Sequence, residues 1–451
     1  EQNYRSTGNI LAAANSVVQN NSRRIEKSLW TENPAGEKVV FEMARDEHHE
    51  AEIVAGRILQ SITEDPSRSY RDFAVFYRTN AQSRVLEEYF IRNGMPYSIV
   101  GGLRFYERKE IKDAVAYLKV AANPHDSLSL LRVINTPLRG FGKTSLERVS
   151  AIAGERGASL YDGLKEAVRR DILSRTKVAP FVELVERLHR EREKMRPSEL
   201  CLQLLKESGY LEMWEKEGSD EAESRVENLH ELVAAIKDFE ASREGPSLID
   251  FLDQVALISD IDSFEDRHNR ITLMTLHSAK GLEFPLVFIV GMEEGLFPHS
   301  RSQDDSDEME EERRLCYVGM TRAMERLFLS CARRRNLFGE YRFQAQSRFI
   351  DEIDQELLTI ENDMFGFPQE TAPQGQSSDE PYYTMEESQA DEWHEGSLWR
   401  RGMRVRHPSF GLGRIERCEG SGETAKLTVT FATFGKKKLI AKYASLTPVG
   451  V

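Results

Sequence analysis

The sequence predicts an α/β fold, a parallel sheet with helices on both faces, interrupted by an all-helical insertion and followed by a small β-barrel. Three observations carry this. Strand-like and amphipathic helical signals alternate over residues 1–104, give way to helical signals alone over 105–265, and alternate again over 266–350. Residues 351–396 hold 14 acidic side chains and neither Lys nor Arg. Residues 397–451 carry short alternating strands broken by glycines. At 451 residues the chain has room for roughly two to four domains with real cores.

Within 1–104, NILAAANSVVQNN has helical periodicity, KVVFEMA and DFAVFYRT are strand-like, and HHEAEIVAGRILQSI between them is an amphipathic helix. That succession is the rhythm of an α/β layer. From 105 to 265, EIKDAVAYLKVAA, FVELVERLHRERE, ELCLQLLKESGY and RVENLHELVAAIKDFE are helical. ITLMTL and PLVFIVGM then return as buried strands, followed by a helix and the strand RLFLSCA, so 1–104 and 266–350 read as halves of one domain. The stretch 351–396 is rich in Pro, Gly, Ser and Gln as well as acid, the composition of a disordered linker.

Bulk charge excludes little. The net charge of −14 resides in the linker, because the other 405 residues carry 61 charges of each sign, and the tail alone holds 11 basic against 3 acidic residues. Local patches must therefore decide between nucleic acid and other partners. Cys201, Cys316, Cys331 and Cys418 form no C-x-x-C pair, which argues against a zinc site or a disulfide framework and fits a reduced, cytoplasmic interior. No apolar run approaches the roughly 18 residues that span a bilayer, so no membrane partner is expected. The first residue is Glu1 rather than Met, and a larger parent protein is expected.

Four stretches carry candidate chemistry. NTPLRGFGKTS resembles a phosphate-binding loop until the spacing is counted: the early glycine of G-x-x-x-x-G-K-[ST] falls on Pro137, which lacks an N–H, and LLRVI upstream is helical rather than a strand. The loop after ITLMTL crowds Thr275, His277, Ser278, Lys280, Gly281 and Glu283 at what should be the carboxyl end of a strand, where ligands meet open α/β sheets. A plain helix start, with Ser278 as N-cap, explains the same residues. In EMEEERRLCYVGMTRAMERLFLS, Leu315, Val318 and Arg322 share one helical stripe, which leaves Arg322 either as a projecting cation or as a C-terminal cap. QNYRS sets Tyr4, able to stack on a base, beside Arg5, able to fork onto phosphate.

Taken together and in order, QNYRS, YRTNAQSR, TLMTLHSAKGLEFPLVFIVGMEEGLFPH and EEERRLCYVGMTRA resemble motifs IV, IVa, V and VI of superfamily one DNA helicases of the UvrD/Rep/PcrA type, most nearly the PcrA-type members. The resemblance covers nearly the whole chain. It implies a RecA-like second motor domain (1–104 and 266–350), an inserted helical domain (105–265) and an SH3/Tudor-like barrel (397–451) from an ATP-dependent DNA helicase. Such an enzyme moves 3′ to 5′ on single-stranded DNA and unwinds duplex in repair and replication. Residue by residue it implies that Tyr4 stacks on adenine, Arg5 reaches the γ-phosphate, Glu283 bonds the ribose and Arg322 is an arginine finger, Arg5 and Arg322 being the catalytic pair. Arg78, Asn80, Thr275, His277 and His299 would line the single-strand track, with Lys280 supporting that loop. Arg139, Gly140, Phe141, Gly142, Lys143 and Thr144 would grip the backbone of the duplex junction, a plain helix-turn-helix corner being the alternative.

ATP and Mg²⁺ would be held mainly by the first motor domain, whose phosphate loop the sequence lacks; the Asp-Glu pair of RFIDEI reads better as helix than as a magnesium site. The chain alone is therefore expected to be inactive until that domain is supplied. The tail, with Phe410, Phe431 and Phe434, resembles a module that docks onto partners such as RNA polymerase, or is a basic barrel that clings to nucleic acid. A catalytically silent DNA-binding or protein-interaction module is the alternative for the whole.

Overall fold

The computed structural model describes residues 2–22, 30–261, 269–337, 340–362, 403–407, 411–419, 426–431, 435–440 and 447–448. The chain divides into two compact units, 1–369 and 370–451. In the first, strands β1 (Val39–Ala44), β2 (Phe73–Tyr77), β3 (Tyr97–Ile99), β4 (Ile271–Thr275), β5 (Phe284–Ile289) and β6 (Ala323–Ala332) precede a hairpin, β7 (Arg334–Leu337) and β8 (Glu340–Phe343), and then β9 (Leu358–Asn362). The large sheet runs β3-β4-β2-β5-β6-β1-β9, with every pairing parallel. A parallel sheet is covered on both faces, which is why FAVFY in β2 is apolar and buried throughout rather than alternating.

Helices α1 (Gly8–Val18), α2 (Glu47–Glu64) and α3 (Ser83–Arg92) belong to this domain. The insertion supplies α4 (Lys109–Ala122), α5 (Ser127–Val133), α6 (Lys143–Arg156), α7 (Leu160–Arg169), α8 (Val178–Glu191), α9 (Pro197–Glu207), α10 (Tyr210–Glu217), α11 (Asp220–Ala241) and α12 (Leu248–Ile261). The motor fold then resumes with α13 (Ser306–Met320) and the single turn α14 (Arg348–Asp351). On one face, Ile10 and Ala14 of α1 and Cys316 and Met320 of α13 pack with Phe76, Val287 and Ile289. On the other, Val54 and Ile58 of α2 and Leu86 and Phe90 of α3 pack with Val75, Phe288 and Phe328. The insertion has its own core, including Tyr117, Phe181, Tyr210, Leu232 and Phe251. It leaves after β3 and returns into β4, its hydrogen-bonded neighbour, so the sheet closes across the gap with Tyr97 opposite Ile271.

The joint between insertion and motor is polar. Arg84 of α3, 1% exposed, reaches Glu231 at 2.5 Å and Asp238 at 3.0 Å on α11. Arg108 donates to the Asn80 carbonyl at 3.1 Å, Ser83 Oγ at 2.7 Å and Asn228 Oδ1 at 2.8 Å. Burial pushes the Glu87 carboxyl, close to Arg108, up to about 7.

The sheet corrects one expected boundary. β9 pairs with β1, so residues 358–362 belong to the motor sheet and 351–357 lead into it, rather than opening an acidic linker at 351; 363–396 lie outside the described residues, as do 262–265 at the end of the insertion. RFIDEI is a helical turn with Phe349 and Ile350 buried. The second unit is an antiparallel sheet of β10 (Arg404–His407), β11 (Gly411–Glu419), β12 (Lys426–Phe431), β13 (Gly435–Ile440) and β14 (Thr447–Pro448), ordered β13-β12-β11-β10-β14. Val405, Ile415, Leu427 and Val429 are its buried residues among those described. Phe410, Phe434 and the side chains of Phe431 and Cys418 lie outside the described residues. Cys201, Cys316 and Cys331 are free, buried thiols. Among the described residues, no helix is long and apolar enough to cross a membrane.

Candidate nucleotide edge and nucleic-acid track

Strand polarity separates residues that the sequence placed in one loop. β4 ends at Thr275, a 3₁₀ turn follows over Leu276–Ala279, and the chain then returns to start β5 at Phe284. Because β4 and β5 run the same way, this connection crosses the sheet from its carboxyl edge to its amino edge. Thr275 and His277 stay at one edge and Glu283 arrives at the other, so no single strand end gathers them. The segment is no α-helix either: Ser278 does not cap one but lies with its Oγ 3.0 Å from Thr275 Oγ1. Leu276 and Ala279 are buried against α13, where a Cβ on Gly319 would lie 2.3 Å from Leu276 Cδ2. Glycine there is what allows the crossover to lie close.

The amino edge collects four expected residues from three segments. Arg5 precedes α1, Glu283 precedes β5, and Arg322 precedes β6. Arg5 Nε donates to Glu283 Oε2 at 2.5 Å and its Nη1 lies 3.5 Å from the Thr321 carbonyl. Asn3 Oδ1 accepts the backbone N–H groups of Arg5 and Ser6 at 2.7 and 2.9 Å, which fixes the turn that presents Arg5. Tyr4 is 79% exposed, a large aromatic face turned to solvent. Trp30, which sequence reasoning passed over, is also exposed and accepts the Asn3 N–H on its carbonyl at 2.7 Å.

Arg322 does not extend the Leu315–Val318 stripe. The buried side of α13 is Met309, Glu312, Cys316, Gly319 and Met320, and Arg322 lies two residues past the helix end, half-buried. Its Nε caps the helix at the Val318 carbonyl (3.0 Å), and Nη1 lies 3.3 Å from the Leu282 carbonyl at the surface. Burial, and then the neighbouring Arg5 cation, hold its pKa below the usual arginine value. Two guanidiniums thus share one patch with a single carboxylate, an arrangement that favours an incoming anion.

The carboxyl edge brings together Arg78 after β2, Thr275 at the end of β4 and His299 after β5. Glu312 organises it, a residue the sequence reading did not single out. Its buried carboxylate receives Arg78 Nε at 3.0 and 3.1 Å and Nη2 at 2.8 Å, and also the His299 backbone N–H at 2.9 Å. The signal was available: Glu312 stands three residues after Met309 and four before Cys316, on the apolar period of α13. His299 Nε2 lies 3.4 Å from Glu227 of the insertion. His277 is exposed, and its pKa is held below the usual value by partial burial and the Arg78 cation. Lys280 is exposed on the crossing loop, and Asn80 presents its carbonyl to Arg108.

The insertion turn corrects two expected phosphate contacts. Arg139 is 7% exposed; Nη1 donates to the carbonyls of Val133, Ile134 and Pro137 at 2.9, 3.1 and 3.4 Å, and Nη2 to Tyr117 Oη and the Ser208 carbonyl, each at 2.8 Å. Its guanidinium also lies 4.6 Å from the centre of the Phe181 ring. Phe141 is buried in the same core. Neither side chain faces a ligand, because the turn folds inward around Asn135, whose Oδ1 accepts the N–H groups of Arg139 and Phe141. Gly140 takes φ +75°, where a side chain would be strained. Gly142, Lys143 and Thr144 are exposed at the start of α6, with no side chain capping its N–H groups. The α5 helix, not a strand, leads into the turn, as the rejection of a phosphate loop requires.

Residues 1–334 match the family described as UvrD-like helicase C-terminal domain, and residues 402–447 match the PcrA/UvrD tudor domain. An ATP-dependent DNA helicase PcrA of Staphylococcus aureus is 43% identical over 455 residues, and one of Staphylococcus epidermidis 42% over 462. Each alignment covers 99% of this chain and 61% of the relative, so the chain spans about three fifths of the relatives' length.

Proposed function

The chain belongs to the UvrD-like helicase family, and from that premise we propose that it is the part of an ATP-dependent DNA helicase that closes on the nucleotide and carries the single strand. The observation behind this reading is the convergence of Tyr4, Arg5, Glu283 and Arg322 at one edge, opposite the edge bearing Arg78, Thr275, His277 and His299. The donor set fits a nucleoside triphosphate: an exposed ring for the base, one carboxylate for the ribose, and two cations whose positive excess suits phosphate. Mg²⁺ and the phosphates would be held chiefly by a phosphate-loop domain, since this sequence contains no such loop. When bound, the triphosphate supplies the bond that is cleaved. Arg322 and Arg5 neutralise the charge that builds on the phosphoryl oxygens, which for an arginine delivered from a second domain is worth about 10³ to 10⁵ in rate.

At the junction, Gly142, Lys143 and Thr144 offer free N–H groups and a cation to a duplex phosphate. Arg175 and Lys177, both exposed, take the place that Arg139 vacates, because the Lys177 N–H is bonded to the Arg139 carbonyl at 2.8 Å. The tudor unit acts as a docking module, with RNA polymerase as its candidate partner.

Mixing this chain with a phosphate-loop domain from a relative tests the reading. ATP hydrolysis and unwinding are expected only with both present. Hydrolysis by the chain alone that Arg322→Ala abolishes would overturn the half-site.

A further inference from the structure

The Arg78 fork raises a question that the two-edge arrangement does not answer: how a phosphate arriving at the carboxyl edge is felt at the amino edge. We propose that Glu312 is a positioning residue that sets Arg78 and the His299 loop for a nucleic-acid phosphate and ties both to the helix that ends two residues before Arg322. This rests on the reading above.

Glu312 is 5% exposed and holds two separate loops at once, the one after β2 through Arg78 and the one before α13 through the His299 N–H. It engages Arg78 through Nε and Nη2, which leaves the Nη1 side of the planar guanidinium to a phosphate and fixes the plane in which it is offered. Gln82 Oε1 steadies the same loop by accepting the Arg78 and Thr79 N–H groups, each at 2.9 Å. A phosphate drawing on that guanidinium weakens its hold on Glu312, and Glu312 is part of α13. From Glu312 to the end of the helix is about 12 Å of packed rod at 1.5 Å per residue. Cys316 and Met320 are buried along it, Gly319 meets the crossover loop, and Val318 at its end accepts Arg322 Nε. A small displacement at one end of such a rod is delivered to the other, since close-packed side chains do not absorb it.

The experiment uses the full chain with the phosphate-loop domain supplied, oligo-dT as the DNA, and ATP hydrolysis as the readout. Glu312→Gln keeps an acceptor for the His299 N–H and loses the ion pair. The ratio of hydrolysis with saturating oligo-dT to hydrolysis without it is expected to fall about tenfold, and half-stimulating oligo-dT to rise about tenfold, the scale of ordinary coupling between sites. The KM for ATP should stay within about twofold, because uniform nucleotide binding is untouched. Arg78→Lys, which keeps the cation and loses the fork, should lower the same ratio. The double variant Arg78→Lys, Glu312→Gln should bind oligo-dT no more weakly than the worse single one. If Glu312→Gln lowers both rates by one common factor, leaving the ratio intact, or if the double variant is additive, Glu312 merely braces the fold and the proposal is overturned. Unsubstituted protein whose hydrolysis ignores oligo-dT refutes the helicase reading instead, so the two failures are distinguishable.

Discussion

Arg322 and Arg139 invite the same sequence argument and have opposite fates. Each stands within three residues of a glycine, near a helix end, in a stretch that resembles a phosphate-gripping motif. Arg322 remains half-buried at the surface, with a second cation for a neighbour and one carboxylate within the patch. Arg139 is enclosed, and its guanidinium is saturated by four carbonyls and the Tyr117 hydroxyl. Arg322 also has acceptors, in the Val318 and Leu282 carbonyls and the Thr321 hydroxyl, but keeps part of its guanidinium at the surface, whereas Tyr117 and Ser208, distant in the chain, help to close Arg139 off.

The contrast can be broken most forcefully at Arg322. With the phosphate-loop domain supplied, Arg322→Ala should lower the rate of ATP hydrolysis by about 10³ to 10⁵ while leaving the urea midpoint of this chain nearly unchanged. Loss of stability comparable to loss of activity would make Arg322 a helix cap and nothing more. Arg139→Ala should do the reverse. Stripping a buried cation from several carbonyls should cost about 2–4 kcal/mol, visible as an earlier urea transition, with the salt dependence of duplex binding unaltered among folded molecules. A flattened salt slope would return Arg139 to the interface.

A smaller effect belongs to Lys143. If it meets one phosphate, Lys143→Ala should reduce the slope of log affinity against log salt by about 0.9, and Lys177→Ala by a similar amount. An unchanged slope in both would remove the duplex role from this turn. The smallest expected effect concerns the buried carboxylates of the joint. Glu87 and Glu231 are both pushed up to about 7, above the ordinary glutamate value of 4.5, so between those limits the folded chain holds more protons than the unfolded one. Stability from these groups is therefore present in full below the ordinary glutamate range and declines as the pH rises toward 7. His48, raised by its hydrogen bond to Asp238, adds to the decline as pH passes its folded value. Thermal melts at pH 5.5 and 7.5 should differ accordingly, and Glu87→Gln, which imitates the protonated acid, should narrow the difference. An identical difference in the variant would remove Glu87 from the titration.

How much was legible depends on whether a signal is local. The helices NILAAANSVVQNN and HHEAEIVAGRILQSI and the strands of ITLMTL and PLVFIVGM were readable because their periodicity lies within each segment. β3 and β9 were missed: three residues are too few to show a period, and LTIEN is disguised by the acid around it. That Arg5 and Glu283 serve one site was implied only by the family resemblance, and their ion pair was not expected at all, since 278 positions separate them. Glu312 was readable from the period of α13, but only once that helix was anchored on Met309 and Cys316.

By itself the amino-acid sequence determined the class of the fold, the place of the insertion and the identity of the residues with chemistry to offer, because apolar period, turn chemistry and motif order are properties of neighbours along the chain. Tertiary structure alone decided which of those residues face a ligand. Parallel strand direction sent Glu283 and Thr275 to opposite edges, and packing of the Tyr117 hydroxyl and the Ser208 carbonyl around Arg139 withdrew a cation that the sequence had left free, since burial and polarity of approach depend on contacts between segments far apart in number.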